Sequence, residues 1–506
     1  MSSICVPVSP PQSSSLLHRL PVVSPLESLP GELLDMIMDW FMDQAFVLGN
    51  GQRSRAKARC FASRAVLRNL CLASKLLCKH ARPGLYRHVV LLGGRDMALL
   101  LGTLLNNPRL GLSVRGFVCL ADASDVCTSD FSLRTNNAGG LDFRQYQPLA
   151  ALADVIDAEW QQRIHLDGET APYLLLMDTL IALLWLVPNA ERVCFPLPAE
   201  RRLFHQSRAG PVLLSLFYSD RQVPLLQHVT HAQIWPHGRA PHDYLDLGQC
   251  GPVLGALPRL ETLELADDDG DFGDFPAAGS HFHYSGPIRH LILHQSSCTP
   301  CDVFDICLRL PDLQTLSVTT DADAATFSLY PVWDANHGPG GLRSPSNCLN
   351  NGLPLLKDTL TSLHLQLDYN SPVAPLIGPA GKLTCLPAMS ILSVLSIGVL
   401  QLYTWEEMMT PDSPRNKLAS VLPASLTIFR LHIDRALRLS QQKAWYGTLV
   451  RTLNDLASDV KSVLPHIGTI VVVLSGPYLE MYCSEFASLT RVFAATGVRF
   501  SCETGE

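Results

Sequence analysis

The sequence predicts an α/β chain: a short helical N-terminal module, then an irregular solenoid-like body in which parallel strands alternate with helices. Three observations carry that expectation. At 506 residues and 55.5 kDa the chain is too long for one compact core, and its 47% hydrophobic content suffices for a long packed array. A short alternating apolar unit recurs along it. Helical stretches separate the copies, and strand–helix alternation implies parallel pairing through right-handed crossovers.

The recurring unit is a Leu/Pro approach followed by an alternating strand. Copies are Leu257–Leu265, Ile288–Leu293, Leu310–Val318, Leu360–Leu367, Leu392–Ile397, Leu426–Ile433 and Ile467–Leu474. Looser copies are Val114–Leu120, Ala190–Phe195 and Gln227–Ile234. Period-two alternation gives a strand one apolar face, and a unit this small cannot cover that face, so neighbours must stack. The spacing is irregular. Leu263 to Leu291 is 28 residues, Leu291 to Leu316 is 25, and Leu316 to Leu363 is 47. The longest interval holds a stretch rich in Gly, Pro and Asn, Val332–Gly352, which reads as a loop. Helical stretches are expected at Tyr173–Leu186, Pro300–Leu310 and Lys443–Val463.

Residues 1–25 carry Ser and Pro clusters and read as a disordered leader. Leu26–Phe41 reads as an amphipathic helix. Ser28 stands at the N-cap, Glu32 lies near capping-box spacing, and Pro30 suits the first turn. Leu33, Leu34, Ile37 and Phe41 fall on one face. Residues 43–64 read as an inserted loop, with Gly49-Asn50-Gly51 and a basic run of Arg53, Arg55, Lys57 and Arg59 that reads as a solvated face. A second helix is expected over Ala65–Cys78, a helix stop at Pro83-Gly84, and a strand over Tyr86–Leu92.

Three blocks then stand in order. They are Leu29-Pro30-x-Glu32-Leu33-Leu34-x-x-Ile37, Leu70-Cys71-Leu72-Ala73-Ser74-Lys75-x-Leu77, and Pro83-x-Leu85-Tyr86-Arg87-His88-Val89. Together they resemble an F-box of the fungal type, over residues 26–92, with a longer loop than usual between the first two blocks. The Leu-x-x-Leu-x-Leu core of the body, residues 93–506, is similar to the strand segment of leucine-rich repeats. The Asn or Cys that closes such a repeat is mostly absent, so the array is degenerate.

The resemblance implies docking on a Skp-family adaptor and, through it, on a cullin–RING ubiquitin ligase. The residues implied in that contact are Leu29, Pro30, Leu33, Leu34, Ile37, Leu70, Leu72 and Leu77. These apolar side chains are expected to outnumber what so small a module can cover, so that a partner groove would bury them. The repeat body would hold a substrate protein whose identity the sequence does not give. Catalysis would belong to the assembled ligase, so the chain itself is expected to be no enzyme and to need no cofactor. A second expectation is a leucine-rich scaffold whose N-terminal helices merely cap the array.

Other classes are set aside on composition. Thirty-nine basic against forty-six acidic residues give a net charge of −7, and no basic excess points to nucleic acid. The longest apolar stretch, Tyr173–Val187, is interrupted by Asp178 and is too short for a bilayer core of ~30 Å. The first residues lack a basic segment followed by an apolar one, so no secretory signal is expected. Fifteen scattered cysteines are too few for a disulfide scaffold in a chain of this length. An intracellular place, cytoplasmic or nuclear, is therefore expected, with no membrane partner.

Several motif-like clusters fall short of a site. Asp267–Asp274 has contiguous acids and Gly270 too early for an EF-hand, so it reads as an acidic loop. Cys298-x-x-Cys301 has His290, His294 and Cys307 nearby, but no second pair at zinc spacing; repeat-loop cysteines are the favoured reading over zinc or redox chemistry. His228, His231, His237, His242, His281 and His283 follow no ligand pattern. Trp333 and Trp405 are candidate recognition anchors in or beside loops. No nucleophile elbow, P-loop, dinucleotide fingerprint or zincin motif occurs, so no catalytic or metal residue is nominated.

Overall fold

The computed structural model describes residues 25–42, 62, 65–121, 145–150, 171–198, 226–237, 245, 254, 257–266, 287–296, 298, 300–320, 345–367, 382–403, 418–433, 439–475 and 483–505. All of the leader but Pro25, the basic run, Asp267–Asp274, His242, His281, His283, Trp333 and Trp405 lie outside the described residues. The chain forms two compact units, one of N-terminal helices through Leu85, the other from Tyr86 onward.

The first unit holds α1 (Gly31–Met42), α2 (residues 65–73) and most of α3 (Lys75–Arg87). Its sequence signals are redistributed in three places. Ser28, expected to cap α1, donates instead to the Pro25 carbonyl at 2.7 Å. The Pro30 carbonyl accepts the N–H groups of Leu33 and Leu34 at the start of the helix. The helix expected over Ala65–Cys78 is broken at Ser74, whose hydroxyl accepts the Leu77 N–H at 3.1 Å and caps α3. Finally, α3 runs through Pro83-Gly84, where the sequence predicts a stop. Proline forfeits a helical hydrogen bond there. Gly84, however, backs onto Leu67, whose Cδ1 would lie 3.6 Å from a Cβ at that position. Leu67 and Ala81 are fully buried, and Leu70, Cys71 and Leu85 pack against them. Packing outweighs the local stop signal.

Among the described residues, the second unit is built on one twelve-stranded sheet whose spatial order is the chain order. The strands are β1 (His88–Leu91), β2 (Gly116–Cys119), β3 (Arg192–Pro198), β4 (His231–His237), β5 (Thr262–Ala266) and β6 (His290–Ser296). They continue as β7 (Thr315–Thr320), β8 (Ser362–Gln366), β9 (Val394–Gly398), β10 (Ile428–Ile433), β11 (Thr469–Ser475) and β12 (Arg499–Gly505). Every neighbouring pair is parallel. Helices lie between them in sequence: α4 (Gly94–Asn106), α5 (Pro108–Gly111), α6 (Ala171–Leu186), α7 (Pro300–Arg309), α8 (Pro345–Gly352), α9 (Leu418–Val421), α10 (Leu439–Val463) and α11 (Cys483–Ala495). The unit is thus α/β with a parallel sheet, an arrangement compatible with a solenoid.

Register explains the recurring leucine. Leu263, Leu291, Leu316 and Leu363 are consecutive Cα partners across β5 to β8, despite their unequal spacing. The same row continues through Leu395, Phe429 and Ile470 to Phe500, and back through Ala232, Val193 and Phe117 to Val89. All twelve are buried. Surplus residues between copies are absorbed outside the strands, so the row stays in step. Backbone hydrogen bonds one residue before the strands reinforce it: Thr361 N–H to Gln314, Ser393 to Thr361, Thr427 to Ser393 and Gly468 to Thr427. The hydroxyls of Thr361, Ser393 and Thr427 donate to those same carbonyls.

Part of Val332–Gly352, expected as loop, is α8. Its Cys348 and Leu349 are buried, and a Cβ on Gly352 would lie 2.9 Å from the Phe304 Cα. Burial and this close backbone approach to α7 hold a helix that composition alone disfavours. The strand expected over Tyr86–Leu92 begins only at His88, because α3 extends to Arg87. Among the described residues, no helix is long and apolar enough to cross a membrane.

Candidate functional site

Two surfaces carry chemistry that the folds do not use up. The first is on the helical unit. Its interior is closed by Leu34, Leu67, Leu77 and Ala81, all buried. A hydrogen bond ties α1 to α3, with His80 Nδ1 2.8 Å from Asp35 Oδ1. A Cβ on Gly31 would sit 3.4 Å from the His80 ring, so α1 and α3 run close at this point.

Against that interior, the eight residues expected to dock divide. Leu33 is 44% exposed and Leu72 is 75% exposed. Pro30 is exposed, while Leu29, Ile37 and Leu70 are half-buried. Leu34 and Leu77 do not belong with the exposed set: both are buried. Two further exposed side chains escaped the sequence reading, Met36 at 66% and Leu76 at 42%. Their signal was available, since Met36 lies three residues after Leu33 and Leu76 four after Leu72.

The second surface is the sheet face opposite the leucine row. Its central row reads Gln233, Glu264, Ile292, Ser317, His364, Ser396 and Arg430, register partners across β4 to β10. Histidines flank this row. His290 Nδ1 is 3.0 Å from Thr315 Oγ1, and Ser396 Oγ is 2.8 Å from His432 Nε2. His231 Nε2 lies 3.3 Å from Glu264 Oε1, the geometry of an ion pair. Neither partner keeps its charge at mildly acidic pH. Burial, then Arg192 and His290, pushes His231 down to about 4. Burial pushes Glu264 up to about 7. Between those values the carboxyl is protonated and the imidazole beside it is neutral.

The chemistry of this face is hydrogen bonding. Ser396 and His432 have the atoms of a nucleophile and base, but Ser396 is buried. Cys298 and Cys301 do not pair. Cys298 is buried, with its N–H donated to Ser296 Oγ at 3.0 Å, whereas Cys301 lies against Cys348. Among the described residues no group of three or more His, Cys, Asp or Glu is placed to hold a metal ion.

No protein-family model and no curated protein matches the chain.

Proposed function

We propose that the chain is a substrate-recruiting adaptor of a Skp–cullin–F-box ubiquitin ligase. Its N-terminal helices are an F-box that docks on the Skp-family adaptor, and its degenerate leucine-rich-repeat body holds a target protein. Catalysis lies with the assembled ligase, to which this chain contributes proximity and orientation. One observation supports this most: Leu33 and Leu72 stay exposed on helices whose interior Leu34, Leu67 and Leu77 already fill. A fully exposed leucine gains ~1.5–3 kcal/mol when a partner covers it, before ordering costs, and Leu33 and Leu72 gain the share of that set by their exposure. The polar sheet face, where Glu264 and His364 are half-buried and Arg430 is exposed, is the surface available for a target.

The test is a pull-down of purified Skp-family adaptor by the full-length protein and by a Leu33→Asp/Leu72→Asp variant. Both changes are at exposed positions, so the variant keeps its fold, which circular dichroism checks. Binding by the wild type and loss in the variant is the expected result. A folded wild type that captures no adaptor sinks the reading and leaves a leucine-rich scaffold.

A further inference from the structure

Cys301 and Cys348 are 47 residues apart in sequence, yet their Sγ atoms lie 2.6 Å apart, and neither is in a disulfide. Cys301 is in the first turn of α7, and Cys348 in α8. Between these two helices the chain passes through β7, so the contact joins successive strand–helix units. An S–S bond is about 2.05 Å long, so closing it moves the sulfurs by little. The helices are already pressed together where Gly352 meets Phe304.

We propose that Cys301 and Cys348 are an oxidation site that closes to a reversible disulfide on exposure to a peroxide, stapling α7 to α8. Cys301 is half-exposed and Cys348 buried, which assigns their roles. The Cys301 thiolate attacks a peroxide oxygen, breaking the O–O bond and giving a sulfenic acid, with one oxygen leaving as water. The Cys348 sulfur then displaces the sulfenic oxygen as a second water. Overall two thiols are oxidised to one disulfide, and one hydrogen peroxide is reduced to two waters. Burial, then the Cys348 thiol, Asp302 and Asp305, pushes the Cys301 thiol up to about 12. Little thiolate exists at neutral pH, so the attack is slow, but the adjacent thiol captures the sulfenic acid before further oxidation. Where a compartment keeps thiols reduced, such a bond forms only under oxidant.

The experiment treats the full-length protein with hydrogen peroxide, alkylates the remaining thiols and digests with trypsin without reduction. The expected product joins peptide 290–309 to peptide 344–357, with the loss of two hydrogens, and dithiothreitol separates them. Fragmentation of the cross-linked pair places the bond at Cys301 rather than Cys298 or Cys307, with no variant needed. Cys301→Ser abolishes the cross-link and Cys298→Ser keeps it. The oxidised protein melts about 5 °C higher, since the bond closes a long loop. A bond at Cys298 or Cys307, a cross-link surviving in Cys301→Ser, or oxidation to sulfinic acid with no cross-link overturns the proposal.

Discussion

The His364 ring meets the His432 ring edge-on, with centroids 5.2 Å apart and planes at 87°, although β9 lies between their strands. Contact across a strand requires small residues on it. On β9, Ser396 is the register partner of His364 and Gly398 that of His432. Burial, then His432, Arg430 and His294, pushes His364 down to about 3 from an ordinary 6.5. The unfolded chain therefore takes up a proton that the folded chain refuses. The contribution of neutral His364 is complete above pH 6.5 and is lost as pH falls toward 3. Going from about pH 7.5 to about pH 5.5, a His364→Gln variant should lose less stability than wild type, by up to about 1.4 kcal/mol. Urea midpoints at the two pH values measure this. Parallel losses in both proteins would contradict it.

Glu264 works in the opposite sense. Its folded value is raised to about 7 from 4.5, so the folded chain holds a proton where the unfolded chain has released it. Its contribution is complete below pH 4.5 and is lost as pH rises through 7. Over the same window His231, pushed down to about 4, destabilises the fold as pH falls, and the two offset each other. Glu264→Gln keeps a neutral hydrogen-bonding side chain and removes the offset. We expect the variant to exceed wild type by on the order of 1–3 kcal/mol near pH 8 and to lose stability more steeply on acidification. A profile parallel to wild type would show that the carboxyl is ionised throughout.

The leucine row was legible in the sequence because period-two alternation is local and burial demands one register. Unequal spacing did not obscure Leu263, Leu291, Leu316 and Leu363, since a strand is indifferent to what separates it from the next. What could not be read depended on contacts between distant segments. α3 survives Pro83-Gly84 through Leu67, and α8 forms in a Gly- and Asn-rich stretch through Phe304. β12 has few apolar residues of its own and is held by pairing along β11. In the candidate site, the apolar stripe was visible, but its division into inward Leu34 and Leu77 and outward Leu33 and Leu72 is set by how the helices pack. The meeting of His364 and His432 depends on two successive registers, which composition does not carry.

Two glycines in neighbouring helices should respond oppositely to alanine. A Cβ on Gly111 would overlap the Leu186 carbonyl oxygen at the end of α6, and backbone cannot yield cheaply. Gly111→Ala should destabilise by about 1–3 kcal/mol. Gly102, inside α4, has nothing within 4 Å of where a Cβ would stand. Gly102→Ala should be neutral or stabilise by about 0.4–1 kcal/mol, through the unfolded chain. Thermal midpoints decide the matter, and equal effects would show that the α5–α6 contact is not tight.

Besides its pairing with β11, the last strand of the sheet is held by aromatic stacking. Phe493 on α11 stacks on Phe500 of β12 with centroids 5.2 Å apart and planes at 3°, and Phe486 lies 6.4 Å from Phe500. Phe493 is fully buried, so Phe493→Ala should cost about 3–5 kcal/mol and loosen β12 from β11. Its neighbour Val492 is exposed, and Val492→Ala should stay within about 0.5 kcal/mol of wild type. Hydrogen exchange on β11 and β12 reads the difference. Unchanged protection of Val472 and Phe500 in the Phe493 variant would show that strand pairing alone suffices.

The helical unit allows interior and surface leucines to be separated. Leu67 is fully buried, with Gly84 against it and Ala81 in the same cluster, whereas Leu72 stands 75% exposed one turn and a half away. Leu67→Ala removes packing that α3 needs to pass Pro83-Gly84, and should cost about 2–5 kcal/mol, melting this unit first. Leu72→Ala removes nothing from the interior and should change stability by less than about 0.5 kcal/mol. If Leu72 is a docking residue, its alanine variant keeps the wild-type melting curve but loses roughly tenfold or more in affinity for the Skp-family adaptor, the equivalent of about 1.4 kcal/mol. Equal adaptor affinity in wild type and Leu72→Ala would remove that residue from the interface, whatever the stability data show.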